Sequence, residues 1–162
     1  MNKNKQNELI CLASHQLQTP LGIVKNMRVP AQEKNITLNL NIQKRVKLFI
    51  DPLKLREVIE NIITNAIIYS FNSGTVDINL CTKDACIIIS IIDNGIGISN
   101  KDKKKLFHKF FRSEKAKKNT QGTGLGLYVA KVYVEEWGGS INVESIEGEG
   151  SIFRISLPMT TG

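Results

Sequence analysis

Asp93 closes an apolar run and is followed at once by Asn94, Gly95, Ile96, Gly97, Ile98 and Ser99. A carboxylate in largely apolar surroundings is costly unless a donor reaches it. The exocyclic amine of an adenine ring is a suitable donor, and Gly95 and Gly97 would let the backbone come close to a flat base. Seen alone, the same residues describe a turn with a capping aspartate.

Further along, Gly122, Thr123, Gly124, Leu125, Gly126 and Leu127 precede a helical pattern. Free backbone N–H groups and the positive end of a helix dipole would face phosphate oxygens there. Upstream, Asn61 and Asn65 lie four residues apart in a helical stretch and project from one face. Two aligned amides in an apolar helix need partners, and a hydrated magnesium ion bridging phosphates would supply them. Each element has an ordinary structural alternative. In this order and combination they point to a nucleoside triphosphate held by its base, its phosphates and its metal. Arg112, next to Phe110 and Phe111, is placed to reach the terminal phosphate.

The elements that must position these residues follow from periodicity. Ile10, Ala13, Leu17, Leu21, Val24 and Met27 recur at helical spacing, with Pro20 predicting a bend. Residues 36–42 alternate as a half-buried strand does, and Val46 to Ile50 is the candidate to pair with it. Asp51-Pro52 is a helix start, and Leu55, Val58, Ile59, Ile62, Ile63, Ala66 and Ile67 form its apolar stripe. Residues 75–82 alternate, and residues 86–92 are apolar throughout, as in a strand covered on both faces. The two read as a hairpin. Residues 100–121 lack clear periodicity and read as a lid. Residues 125–137 form a helix stopped by Gly138-Gly139, and two strands over 140–145 and 151–157 end the pattern. Strands and helices do not alternate regularly. The predicted fold class is therefore α+β, a two-layer sandwich with a mixed sheet and helices on one face, plus an N-terminal helix.

A chain of 162 residues fits one domain with a sizeable core. No run approaches the roughly 20 apolar residues of a membrane span, and Met1 to Glu8 lacks a signal core, so a cytoplasmic protein or fragment with no membrane segment is expected. Cys11, Cys81 and Cys86 are odd in number and not arranged in a metal-ligand spacing, which suggests neither a disulfide framework nor a zinc site. The net charge of +7 is partly a lysine cluster between the two glycine motifs. Nucleic acid is not the expected partner, because aromatics for base stacking are not interleaved with those lysines.

Residues 31–158 resemble the catalytic ATP-binding domain of bacterial sensor histidine kinases, within the Bergerat-fold group that includes gyrase and MutL. The resemblance implies that ATP and Mg2+ are the cofactors, with Asn61 and Asn65 as the N-box around the metal. It places Asp93, Gly95 and Gly97 at adenine. It makes Phe107, Phe110 and Arg112 the lid's F-box, and Gly122, Gly124, Leu125, Gly126 and Leu127 the second glycine box. Gyrase and MutL carry a glutamate where Asn61 stands, which activates water. Its absence here favours phosphoryl transfer over hydrolysis. Ile68 replaces a lysine common in the family, and lid lysines are candidates to substitute for it. The acidic residue often found after the first F-box phenylalanine is His108.

Ala13 to Leu21 reads ASHQLQTPL, similar to the phosphoacceptor box of the same kinases. By that likeness His15 accepts the phosphoryl group and a response regulator receiver domain is the downstream partner. Thr19 would position water for dephosphorylation. Gln16 stands where the family has an acid. Glutamine orients an imidazole but accepts no proton, so transfer is expected to be slow. The segment is predicted to divide as residues 1–27, the remnant of a dimerisation helix, and residues 28–160, the ATP-binding domain. A homodimer would have only one helix per subunit, because Met27 runs directly into Arg28, Val29 and Pro30 and the second helix of the hairpin is missing. The alternatives are a regulatory nucleotide-binding module without transfer and a serine kinase of the anti-sigma type.

Overall fold

The computed structural model describes residues 27–42, 48, 50–119 and 122–159. The predicted N-terminal helix, with His15, Gln16 and Thr19, lies outside the described residues.

A short helix α1 (Arg28–Glu33) leads into strand β1 (Thr37–Ile42), and the long helix α2 (Pro52–Tyr69) follows. Asp51 caps α2 by accepting hydrogen bonds from the N–H groups of Leu53 at 2.8 Å and Lys54 at 3.3 Å, with Pro52 in the first turn. Its buried residues are Leu55, Val58, Ile59, Ile62, Ile63, Ala66 and Ile67, the stripe read from spacing. Isoleucine is an indifferent helix former, so this helix is held by burial rather than by propensity. Strands β2 (Thr75–Lys83) and β3 (Cys86–Asp93) form the predicted hairpin. The lid holds two short helices, α3 (Asn100–Lys103), capped by Ser99, and α4 (Glu114–Asn119). Helix α5 (Gly126–Glu136) and strands β4 (Ser140–Ile146) and β5 (Gly150–Pro158) complete the chain.

The five strands form one mixed sheet in the order β1-β2-β3-β5-β4, in which only the β1–β2 pair is parallel. Helices α2 and α5 bury their apolar faces together with Ile78, Ile89, Ile91, Phe153 and Ile155 in a single core. The fold is the predicted two-layer α+β sandwich.

Two expectations need correction. The stretch 46–50 gives no strand at its described residues: Leu48 is buried in the core and Ile50 packs against it. The partner of β1 is β2, through Thr37↔Thr75 to Ile42↔Leu80, with Asn39 donating to Asp77 and Asn41 to Asn79 across the pair. Nor is β3 fully covered on both faces. Its residues alternate between half-buried and buried, with Ile88 and Ile92 on the more open side. Ile92 is flanked there by Asp77 and Ile152, so cross-strand neighbours partly cover what no helix covers.

Candidate functional site

The last residue of β3 and the ends of α2 and α5 converge on one cleft. Asp93 is 7% exposed and lies on its wall. Its carboxylate accepts from the backbone N–H of Gly95 at 2.9 Å and from that of Ser151, which faces it across the β3–β5 pair. Burial pushes its pKa up to about 6, against the pull of those two hydrogen bonds. Each carboxylate oxygen has two lone pairs, so two such bonds leave acceptor capacity for a donor in the cleft.

The loop after Asp93 is fixed by the protein rather than shaped around a ligand. A Cβ on Gly95 would meet the carbonyl oxygen of Tyr69 at 2.1 Å. Gly97, at φ +63°, would drive a Cβ into the carbonyl oxygen of Ile146 at 2.0 Å. The glycines are therefore required because α2 and the β4–β5 turn press on this loop, a different reason from the approach of a base. Gly97 lines the cleft; Gly95 lies buried beside it. Hydrogen bonds hold the loop on both sides: Ile96 donates to Tyr69, Gly148 donates to Ile96, and Ile98 donates to the Ser145 hydroxyl at 2.8 Å.

Asn61 and Asn65 both line the cleft from α2 and play different parts. The Asn61 amide donates through Nδ2 to the carbonyl of Gly126 at 3.3 Å, joining α2 to the start of α5. Asn65 is half-buried and has no hydrogen-bond partner among the described residues. A half-buried amide aimed into a cleft without a protein partner fits a hard cation and its water shell, and Asn61 has its oxygen left for the same purpose. These residues fit magnesium.

Gly122, Gly124, Gly126 and Leu127 line the cleft, whereas Leu125 does not; its N–H is bonded to the Thr123 hydroxyl. Helix α5 begins with no side-chain cap, so its first N–H groups are open toward the cleft. Gly124, at φ +70°, sits against the backbone of Phe110 and Phe111, and Phe110 donates to its carbonyl. The lid is thus laid directly over the glycine motif.

In the lid, Arg112 lines the cleft and donates to the carbonyl of Ala116 at 2.8 Å. Phe107 packs on the core, and Phe110 turns outward at 63% exposure; it is Phe111, together with Leu106, that forms the apolar wall. Sequence reasoning passed over Ser151, Phe153 and Glu147, and named Phe111 only as a lid aromatic beside Arg112. Ser151 and Phe153 could be found only through the β3–β5 register, which pairs residues about sixty positions apart. The cleft has a volume of about 490 Å3 and mixes apolar walls at the Asp93 end with amides, glycines and cations at the other. No helix among the described residues is long and apolar enough to cross a membrane.

Comparison with known proteins agrees with this geometry. Residues 50–161 match the family described as histidine kinase-, DNA gyrase B- and HSP90-like ATPase. Over 131 residues the chain is 39% identical to the sensor histidine kinase WalK of Bacillus subtilis (strain 168), covering 78% of this chain and 21% of WalK. It is 35% identical over 136 residues to the sensor-like histidine kinase SenX3 of Mycolicibacterium smegmatis, covering 83% of this chain and 35% of SenX3. The chain therefore spans between a fifth and about a third of these relatives. Its fold is similar to the crystal structure of full-length ShkA in complex with AMPPNP, with a TM-score of 0.78 at 23% identity, covering 89% of this chain and 30% of ShkA. By sequence match, by fold and by the residues gathered at the cleft, the chain belongs to the histidine kinase-, gyrase B- and HSP90-like ATPases and carries the catalytic ATP-binding domain of a sensor histidine kinase.

Proposed function

We propose that this chain binds Mg-ATP and serves as the catalytic part of a two-component sensor kinase, delivering the γ-phosphoryl group to a histidine, with His15 as the candidate acceptor and a response regulator receiver domain downstream. The carrying observation is that a buried carboxylate and an unpartnered amide, Asp93 and Asn65, lie on the wall of one cleft. Asp93 accepts from the adenine amine, while Ile96, Ile98 and Phe153 shield the ring from water. The open N–H groups at the start of α5 and the Arg112 guanidinium hold the phosphates. Asn65 and Asn61 are the residues that would hold a magnesium ion, which would supply charge neutralisation at the phosphates.

In the transfer, a neutral imidazole nitrogen of histidine attacks the γ-phosphorus, the bond to the β,γ-bridging oxygen breaks, and ADP leaves with the electron pair. The protein's contribution is positioning and charge stabilisation. No carboxylate stands at position 61 to activate water, which supports transfer over hydrolysis.

A second function, nucleotide binding without transfer, is favoured by Ile68. This residue stands on the rim of the cleft where a cation would help hold phosphate, and it is 37% exposed. Incubation with γ-labelled ATP separates the two. Acid-labile label lost in His15→Ala supports the kinase; nucleotide binding with no label supports the module. Acid-stable label on a partner protein would instead indicate a serine kinase.

A further inference from the structure

We propose that the outer side of the lid is a docking surface for an acidic protein partner. The proposal is independent of phosphoryl transfer.

The charge of the molecule is unevenly placed. Between Asn100 and Gln121 there are nine basic residues and two carboxylates, a surplus of seven that equals the net charge of the whole chain. Everything outside the lid is balanced. A surplus kept for solubility would be spread over the surface; concentrated on one element, it makes a local field.

Local partners do not use up this surplus. Lys115 pairs with Glu147, Lys117 with Glu114, and Lys103 donates to the carbonyl of Ser145. Lys101, Lys104 and Lys105 make no ion pair among the described residues. Lys101, Lys105 and Lys117 line a second cleft of about 260 Å3, with Asp102 and Glu114 as acidic neighbours; it adjoins the nucleotide cleft, with which it shares Lys101, Asp102 and the segment 111–114.

The same cleft has an aromatic wall. Phe110 is 63% exposed and sits at φ +63°, a backbone conformation that costs a bulky residue energy. The Lys109 ammonium lies 5.1 Å from its ring centroid. An exposed aromatic among unpaired lysines in a concave site has the composition of a protein-binding anchor: the ring fills an apolar contact while the cations meet carboxylates. A bilayer headgroup surface is flat and leaves a concavity unfilled. Single-stranded nucleic acid needs successive stacking platforms, and of the two aromatics lining this cleft Phe111 is shared with the nucleotide cleft.

The test uses the full chain and a fluorescein-labelled twelve-residue peptide of Glu and Asp around a central Leu-Leu pair, followed by anisotropy. The expected result is saturable binding that weakens with salt, by about tenfold or more in Lys101→Glu/Lys105→Glu and about fivefold in Phe110→Ala at constant ionic strength. Thermal midpoints and far-ultraviolet circular dichroism are measured on every variant, so that loss of fold is recognised. If charge reversal unfolds the chain, Lys101→Gln/Lys105→Gln carries the same comparison. Absence of peptide binding, or binding indifferent to Phe110 and the lysines, overturns the proposal. So does tighter binding of a poly(U) oligonucleotide or of phosphatidylserine vesicles than of the peptide, which would mark the lid as a general polyanion surface.

Discussion

At the residue scale, Asp93 sets a conflict between binding and stability. Its carboxyl has a pKa of about 6 in the fold, raised by burial from an ordinary value of 3.8. The folded domain therefore holds this proton more tightly than the unfolded chain does. The stability Asp93 contributes is fully present below about pH 4 and is lost as pH rises through 6. Asp93→Asn, which removes the buried charge, is expected to raise the thermal midpoint of the nucleotide-free domain at pH 7.5, with a smaller gain at pH 4.5. The same substitution should weaken adenosine binding by at least about tenfold, the scale of one hydrogen bond to a charged acceptor. Calorimetry and thermal melts on one preparation check both; a variant that melts lower at pH 7.5 while binding adenosine normally would refute the assignment. In the parent protein, adenosine affinity should fall below about pH 6, as the carboxylate takes up its proton. Asn65→Ala provides the contrast: affinity for Mg-ATP drops while affinity for adenosine is unchanged, because the amide faces the metal end of the cleft.

At the scale of elements, the C-terminus of α2 joins the loop after Asp93 to the helix that carries Asn61 and Asn65. Lys34 caps it, donating from Nζ to the carbonyls of Ile67 at 3.1 Å, Ile68 at 2.7 Å and Ser70 at 2.7 Å. A cation at the negative end of a helix dipole also interacts favourably with that dipole. Lys34→Met should cost about 1–3 kcal/mol of stability by urea denaturation, with Lys34→Arg recovering part of it. Gly97→Ala should do more harm than its size suggests. The left-handed conformation alone costs about 1–2 kcal/mol, and the Cβ would strike the Ile146 carbonyl, so both stability and adenosine binding should fall. α2 could be read from its sequence because cap, proline and stripe are local signals. The β1–β2 pairing could not, since it joins segments 38 positions apart and parallel pairing leaves no turn to read. The run of isoleucines in β3 misled for a related reason: an apolar side chain on the open face looks the same in sequence as one under a helix. Within the cleft, the separate parts of Asn61 and Asn65 were hidden because the Asn61 partner is a backbone carbonyl 65 residues away.

At the scale of the whole molecule, the question is whether one chain can phosphorylate itself. Met27 is half-buried against the core, and its sulfur accepts from the Thr64 hydroxyl at 3.7 Å, so the chain enters the domain beside the helix that carries Asn65. His15 lies twelve residues upstream, outside the described residues. An unbroken helix over this stretch, the spacing expected from the sequence, would put it about 18 Å from Met27 at roughly 1.5 Å per residue. A helix that runs outward would hold the imidazole away from its own cleft, whereas the cleft of a second molecule is reachable by diffusion. Labelling should therefore be bimolecular, with an initial rate per mole of protein that rises with protein concentration. Mixing His15→Ala, which keeps the nucleotide site, with Asn65→Ala, which keeps the acceptor, should restore label to the Asn65→Ala chain. A specific rate independent of concentration, with no label in the mixture, would place the transfer within one chain and require residues 15–27 to fold back. A fully extended segment of that length, at about 3.5 Å per residue or some 40 Å in all, is long enough to do so.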